Sequence, residues 1–275
     1  MPQTLAAEPG PIVLFGGGRM GSALLKGWIE AGVSGSRINI IEPTPGPELI
    51  ELAAGAGCAI NGELRPADGQ AIVLAVKPQK VAELEDSLAV IARGDTLVIS
   101  IMAGKTLLNL SRLCSGARAF VRAMPNLPAA VGRGATVAFA GADCGDAQRR
   151  LAHQLLSGTG LLEWVDDEML IDAATGVSGS GPAYLFYFLE CMTEAGVAIG
   201  FPRDMAERLA RTMVSGSGEL LRLSSKTPAE LRRDVTSPAG TTEAGLGVLM
   251  KDGLLQAMIT DTAVATVRRA RELAG

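Results

Sequence analysis

The chain has 275 residues, 48% of them hydrophobic but only 4% aromatic, and a formal net charge of −4. That length suits one large domain or two modest ones with a substantial core, packed mainly from Ala, Val and Leu. The mildly acidic balance, with no basic block, argues against nucleic acid as the main partner, and apolar runs well short of about 18 residues argue against a membrane span.

The first element is predicted at 11–15, where Pro11-Ile-Val-Leu-Phe15 is the short apolar run that a buried parallel strand needs. Gly16, Gly18 and Gly21 follow at G-x-G-x-x-G spacing, and the pattern continues as an amphipathic helix over 20–32. In a dinucleotide-binding fold the first glycine makes a tight turn and the second lets the backbone approach a pyrophosphate. The third lets helix and strand pack closely. In a chain with 34 glycines the spacing alone also fits a purely structural turn. The strand before it and the helix after it favour the nucleotide reading.

Further strands are predicted over 37–41, 71–76, 97–101, 119–123, 135–140 and 161–165, with helices over 47–57, 79–92, 106–114 and 146–157 between most of them. This alternation predicts an α/β domain, residues 1–167, built on a doubly wound parallel sheet. Glu42 ends the second strand 21 residues beyond Gly21. An acidic side chain there typically accepts hydrogen bonds from the adenosine ribose hydroxyls.

Beyond Asp167 the strand signal stops. Helices are predicted over 168–175, 182–199, 203–223, 228–235, 238–251 and 254–273, so residues 168–275 read as a second, all-helical domain. Its segment Pro182-Ala-Tyr-Leu-Phe-Tyr-Phe-Leu-Glu-Cys-Met192 holds four of the chain's ten aromatic residues. A small helical domain cannot bury that much apolar surface by itself, and a homodimer interface is the expected sink.

Within the helical part, Asp234-Val-Thr-Ser-Pro-Ala-Gly-Thr-Thr-Glu243 reads as a helix start suited to a small anion. Ser237 is expected as N-cap and Pro238 at the first helical position. The N–H groups of Ala239, Gly240 and Thr241, on short side chains or none, would then face a carboxylate at the positive end of the helix dipole. The hydroxyls of Thr241 and Thr242 donate as well as accept. Taken alone, the segment also fits an ordinary capped helix.

The four cysteines (Cys58, Cys114, Cys144, Cys191) are scattered without a C-x-x-C pair and read as small buried hydrophobes in a reducing cytoplasm. No basic stretch followed by an apolar core opens the chain, so no secretory leader is expected. The single histidine, His153, lies in a charged helix, which favours a surface role and excludes most Ser-His-Asp and histidine-rich metal schemes. No metal is expected. Arg268, Arg269 and Arg271 read as a solvated helix face with favourable C-terminal charge.

The chain resembles the pyrroline-5-carboxylate reductase family over nearly its whole length. The stretch Leu231-Arg-Arg-Asp-Val-Thr-Ser-Pro-Ala-Gly-Thr-Thr-Glu-Ala-Gly-Leu-Gly-Val-Leu-Met-Lys251 is similar to the family signature. Phe15-Gly-Gly-Gly-Arg-Met-Gly21, Ala75-Val-Lys-Pro-Gln79, Ser100-Ile-Met-Ala-Gly104, Arg122-Ala-Met-Pro-Asn126 and Thr175-Gly-Val-Ser-Gly-Ser-Gly-Pro-Ala-Tyr184 accompany it in family order. The resemblance implies reduction of 1-pyrroline-5-carboxylate to L-proline with hydride from NADPH or NADH. It also implies a Rossmann domain and a helical dimerisation domain, with the active site at the dimer interface and dimers able to assemble into larger rings.

The same resemblance implies site residues. Phe15, Gly16, Gly17, Gly18, Arg19 and Met20 match the pyrophosphate loop. Ala75, Val76, Lys77 and Pro78 match a strand end at the cofactor, and Ile101, Met102 and Ala103 match the nicotinamide side. Asn61 matches an adenosine-side asparagine with the spacing shifted by one, and Asn126 is expected to hydrogen-bond near the site. Ser237, Ala239, Gly240, Thr241 and Thr242 are expected to hold the substrate, with Thr242 near the imine nitrogen as the catalytic hydroxyl. Glu168 matches a substrate-pocket position, where a carboxylate would stabilise a cationic imine; it equally suits the first turn of a helix. Lys77 equally suits a solvated strand end.

Two positions depart from the family pattern. Glu42 stands where many relatives carry serine or threonine, and its charge would repel a 2′-phosphate, so NADH is expected to serve at least as well as NADPH. Asp234 stands where relatives often have asparagine, which puts a cofactor contact there in doubt. Two other readings compete: a β-hydroxy acid dehydrogenase or another imine reductase of the same architecture, and a catalytically dead nucleotide sensor. The dehydrogenases usually carry a lysine base on a long interdomain helix, and 168–199 contains no lysine. Intact Ser237, Gly240 and Thr242 speak against the sensor.

Overall fold

A computed structural model describes residues 11–66 and 70–274; the expected absence of a secretory leader concerns the first residues, which lie outside that range. The described chain divides into two compact units, one running to Ser180 and including the residues from Ala265 onward, the other Gly181–Val264.

The first unit holds eight strands: Ile12–Phe15 (β1), Ile38–Ile41 (β2), Ala59–Ile60 (β3), Ala71–Leu74 (β4), Gly94–Ser100 (β5), Ala117–Met124 (β6), Gly134–Ala140 (β7) and Gly160–Trp164 (β8). Their order in the sheet is β3-β2-β1-β4-β5-β6-β7-β8. The chain therefore winds outward in one direction from β1 to β3 and in the other from β4. The crevice where the order reverses, at the carboxyl ends of β1 and β4, is where open α/β sheets bind ligands. Phe15 pairs with Ile41 on one side and Leu74 on the other, which brings the next residues, Gly16, Glu42 and Ala75, level with one another.

Helices cover both faces: Arg19–Glu30 (α1), Pro47–Ala56 (α2), Glu85–Ile91 (α3), Leu107–Leu113 (α4) and Asp146–Ser157 (α5). One face packs Ile12, Leu14, Leu24, Trp28 and Leu155; the other packs Val13, Phe15, Leu88, Ile91 and Leu110. All four β1 side chains have 0% exposure, each contributing about 1.5–3 kcal/mol of burial. The Trp28 indole N–H, buried with its ring, donates to the Leu155 carbonyl at 2.7 Å, so the largest core side chain leaves no polar atom unsatisfied.

The sheet departs from the all-parallel expectation in one place: β7 runs antiparallel to β6. Only a short 3-10 turn, Leu127–Val131, joins them. Without a crossover helix the chain has to return alongside the strand it has just left. The α5 crossover then makes β8 parallel to β7. The helix expected over 79–92 is a 3-10 run, Pro78–Leu84, followed by α3. After β8 come Met169–Ala174 (α6) and a single π-helical turn, Thr175–Gly179.

The second unit contains Gly181–Ala198 (α7), Arg203–Leu223 (α8), Pro228–Asp234 (α9), Thr241–Leu249 (α10) and the first half of Leu254–Ala274 (α11). Helices α7 and α8 pack closely, with a Cβ on Gly196 reaching 2.9 Å from the Ala206 Cβ. Along α7 the only buried residue is Thr193. Leu185, Phe186, Tyr187, Phe188 and Met192 are all exposed in the single chain, which is the apolar surface expected to face a second copy. No helix among the described residues is long and apolar enough to cross a membrane.

Of the cysteines, Cys114 is buried, Cys58 and Cys144 are half-buried, and Cys191, expected inside, is exposed on α7. Burial pushes the Cys114 thiol up to about 12, so it behaves as a small hydrophobe.

Candidate functional site

The glycine loop between β1 and α1 is built by close approach. Gly16 has φ +98°, and a Cβ there would lie 2.5 Å from the Ala75 carbonyl oxygen, so no other residue fits. A Cβ on Gly21 would collide with the Gly16 carbonyl oxygen, and one on Gly17 with Leu49 Cδ2. Gly18 differs, since a Cβ there would meet nothing within 4 Å. That open side is where a ligand's phosphates can reach the backbone. The loop is held from within: Ser22 Oγ donates to the Gly17 carbonyl at 2.9 Å, and the Ser22 N–H to the Gly18 carbonyl at 2.8 Å.

Helix α1 starts with Gly18 as N-cap, no side-chain cap bond and no acidic residue in its first turn. Its leading amides, on Arg19 and Met20, thus have no partner among the described residues and present the positive end of the dipole. The cradle fits a dinucleotide pyrophosphate.

Glu42, at the end of β2, is drawn into this loop. Its Oε2 accepts the Gly17 N–H at 2.9 Å and its Oε1 the Thr44 N–H at 3.2 Å. Asn61 clamps the main chain behind it, accepting the Glu42 N–H at 2.9 Å and donating to the Glu42 carbonyl at 2.8 Å. Asn61 sits at φ +52°, a left-handed conformation asparagine tolerates. Both ends of its amide are therefore spent in holding Glu42.

The other expected cofactor residues gather at the same edge. Ala75 donates its N–H to the Phe15 carbonyl at 2.7 Å, and Ile101 to the Leu74 carbonyl at 3.1 Å. The Ala75–Pro78 segment thereby leaves β4 beside the glycine loop, and Ile101–Ala103 leaves β5 one strand further along the same edge. Lys77 is exposed and caps the 3-10 run beginning at Pro78. Phe15, expected at the cofactor, turns its side chain fully into the core, and Met102 is 3% exposed; their side chains support the crevice from behind.

A buried ion cluster lies at the end of β6, and no sequence argument singled out its central residue. Arg122, 2% exposed, bonds Asp172 Oδ1 at 2.5 Å through Nη2 and Glu168 Oε1 at 3.3 Å through Nη1. Glu168 Oε1 also accepts the Leu107 N–H at the start of α4, at 2.8 Å. Glu168 stands at the N-cap position of α6 but makes no cap bond to its own helix, so its carboxylate serves the cluster and not the first turn. Its second oxygen has no partner among the described residues. The signal was present in the sequence: an arginine inside the apolar run Ala119-Phe-Val-Arg-Ala-Met124, and two carboxylates four residues apart on one helix face. Nearby, Asn126 donates to the Ser178 carbonyl at 3.0 Å and accepts the Ala135 N–H at 2.8 Å, tying the end of β6 to the π-helical turn and to β7.

In the second unit the expected anion cradle is displaced by three residues. Ser237 and Pro238 do not start the helix; α10 begins at Thr241, with Gly240 as N-cap. Ser237 to Gly240 form a turn closed by the Gly240 N–H on the Ser237 carbonyl at 3.0 Å. Pro238 at its second position and Ala239 at φ +55° give the pattern of a type II turn. The positive φ of Ala239 is incompatible with helix, which explains the late start. The Ala239 N–H is taken by Glu243 Oε2 at 2.7 Å. Of the three amides expected to meet a ligand, two are thus engaged within the chain. The N–H groups of Thr241 and Thr242 and the hydroxyls of Ser237 and Thr242 have no partner among the described residues. A Cβ on Gly240 would collide with Ser237 Oγ, so a larger residue there would have to turn the Ser237 hydroxyl away. Asp234 pairs with Lys226 at 2.7 Å.

His153 accepts the Trp164 indole N–H at 3.3 Å, with Arg149 over the same ring at 4.7 Å. This is a surface cluster on α5 and β8.

A family model described as pyrroline-5-carboxylate reductase dimerisation matches residues 168–273, and one described as NADP oxidoreductase, coenzyme F420-dependent, matches residues 11–104. A pyrroline-5-carboxylate reductase from Pseudomonas aeruginosa is 38% identical over 96% of each chain. The solved structure of one from Coxiella burnetii superposes with a TM-score of 0.85 at 32% identity, covering 98% of this chain and 100% of that one. The NADP-bound Plasmodium falciparum pyrroline carboxylate reductase, at 24% identity and covering 98% and 99% of the two chains, shares the fold with a TM-score of 0.78.

Proposed function

The chain belongs to the pyrroline-5-carboxylate reductase family, and from that premise we propose how its residues divide the reduction of the cyclic imine 1-pyrroline-5-carboxylate to L-proline, the last step of proline biosynthesis. It is an oxidoreductase acting on a C=N bond, and a bound nicotinamide dinucleotide supplies the hydride. The observation that carries this activity is the 38% identity spread over 96% of both chains.

The Arg19 and Met20 amides hold the pyrophosphate on the open side of Gly18. Glu42 accepts the ribose hydroxyls, and its fixed negative charge disfavours a 2′-phosphate, so NADH serves at least as well as NADPH. The Thr241 and Thr242 amides grip the substrate carboxylate, with the Ser237 hydroxyl as a further donor. This fixes the ring for transfer, and positioning is most of what hydride transfer requires. The Thr242 hydroxyl faces the imine nitrogen. A hydroxyl is a poor acid, so the imine binds already protonated and Thr242 chiefly orients it. The free oxygen of Glu168 suits the resulting positive charge.

The C-terminal segment from residue 168 is the dimerisation domain, and its exposed aromatic helix α7 supports self-association. Assembly of dimers into rings and a cytoplasmic location complete the reading, the latter supported by four free cysteines. Oxidation of reduced nicotinamide in the presence of 1-pyrroline-5-carboxylate tests the activity. Turnover with the five-membered imine and none with 3-hydroxy acids is expected; the reverse would make it a β-hydroxy acid dehydrogenase.

A further inference from the structure

The carboxylate of Glu243 occupies an amide at the mouth of the helix where, on the reading above, the substrate's own carboxylate is gripped. Glu243 is the third residue of α10, and its Oε2 accepts the Ala239 N–H at 2.7 Å. A glutamate at that position ordinarily reaches back to the N-cap amide. Here it reaches one residue further, because the N-cap amide of Gly240 is already closed on Ser237. The result is an anion held beside the two open amides of Thr241 and Thr242, at the positive end of the α10 dipole. Both Ala239 and Glu243 are exposed, so the bond is not locked by packing and opens by a rotation of one long side chain.

We infer that Glu243 is a displaceable resident carboxylate, which an incoming carboxylate ligand must move off the Ala239 amide or share the cradle with. Like charges a few ångströms apart repel, and the side chain's bond to the amide is lost on displacement. Glu243 thereby sets the affinity for every carboxylate ligand of this cradle, substrate and product alike, while leaving ligands without a carboxylate unaffected.

The inference rests on the proposed placing of the substrate carboxylate, and its test separates the two. Glu243→Gln keeps an acceptor oxygen at the same reach, so the turn remains held while the charge is gone; Glu243→Ala removes both. For Glu243→Gln, the KM for 1-pyrroline-5-carboxylate and the dissociation constant of L-proline by calorimetry are both expected to fall roughly fivefold or more. The change should fall on KM and not on kcat, and the affinity for L-prolinamide should not move. Unchanged or weaker L-proline binding in Glu243→Gln overturns the inference. So does an equal gain for L-prolinamide, or tightening in Glu243→Ala alone. If L-proline binds the unmodified protein no better than L-prolinamide does, the carboxylate cradle itself is wrong.

Discussion

Glu42 Oε2 lies 2.9 Å from the Gly17 nitrogen, so the residue that follows β2 is bonded to the middle of the glycine loop. On the proposed cofactor placement the bond fixes a negative charge against a 2′-phosphate, and Asn61 bonds the main chain on both sides of the Glu42 peptide unit. Glu42→Ser removes the charge and leaves a hydroxyl able to donate to a phosphate. The ratio of kcat/KM for NADPH to that for NADH is expected to rise tenfold or more, roughly 1.4 kcal/mol. A strong NADPH preference in the unmodified protein would contradict the role given to Glu42.

The glycine loop separates residues required by packing from one that packing leaves open. Gly21→Ala places a Cβ against the Gly16 carbonyl oxygen and should lower stability by about 1–3 kcal/mol in urea unfolding. Gly18→Ala meets only open space, at φ −68°, and should leave stability within about 0.5 kcal/mol. Dinucleotide affinity, read by fluorescence titration, is nevertheless expected to drop at least tenfold in Gly18→Ala. Normal affinity there would place the phosphates elsewhere.

Much of this architecture was legible because the relevant signals are local. The apolar run 11–15, the glycine spacing and Glu42 are contiguous features, and β1, α1 and β2 lie within a few residues of their predicted bounds. The reversal of β7 was not legible, since it follows from the shortness of a connection whose neighbours read as ordinary strands. The start of α10 was misjudged for a different reason. Pro238 fits a first helical position and the second position of a type II turn equally well, and the positive φ of Ala239 chooses between them. Arg122 was quoted within a motif but not read as a charge, because its partners stand 46 and 50 residues away.

That cluster has its own consequence. Arg122 is nearly fully buried, its Nε has no partner among the described residues, and it pairs with both Glu168 and Asp172. Arg122→Met leaves Glu168 and Asp172 without their counter-charge, and a loss of about 3–5 kcal/mol is expected by urea unfolding. Because Glu168 loses one of the two groups that fix it, KM for the imine should rise as well. Restoring stability in Arg122→Met/Asp172→Leu without restoring KM would separate the structural pairing with Asp172 from the positioning of Glu168. A single variant of near-native stability would show that the cluster is open to water.

Thr242 is the hydroxyl proposed to stand at the imine. It is exposed at the second position of α10, and neither its amide nor its hydroxyl has a partner among the described residues. If it only orients a protonated imine, Thr242→Val should lower kcat by about tenfold, and Thr242→Ser should restore it. If it delivers the proton, the loss should reach 10²–10⁴-fold, the usual range for general acid catalysis. The pH profile decides between them independently of magnitude. With a pre-protonated imine, kcat/KM falls as pH rises through the pKa of the free substrate, in the variant as in the unmodified protein. With Thr242 as donor, that limb changes or disappears in Thr242→Val. The unpaired hydroxyl and the poor acidity of an alcohol favour the first outcome, and a valine variant of full activity would remove Thr242 from the mechanism.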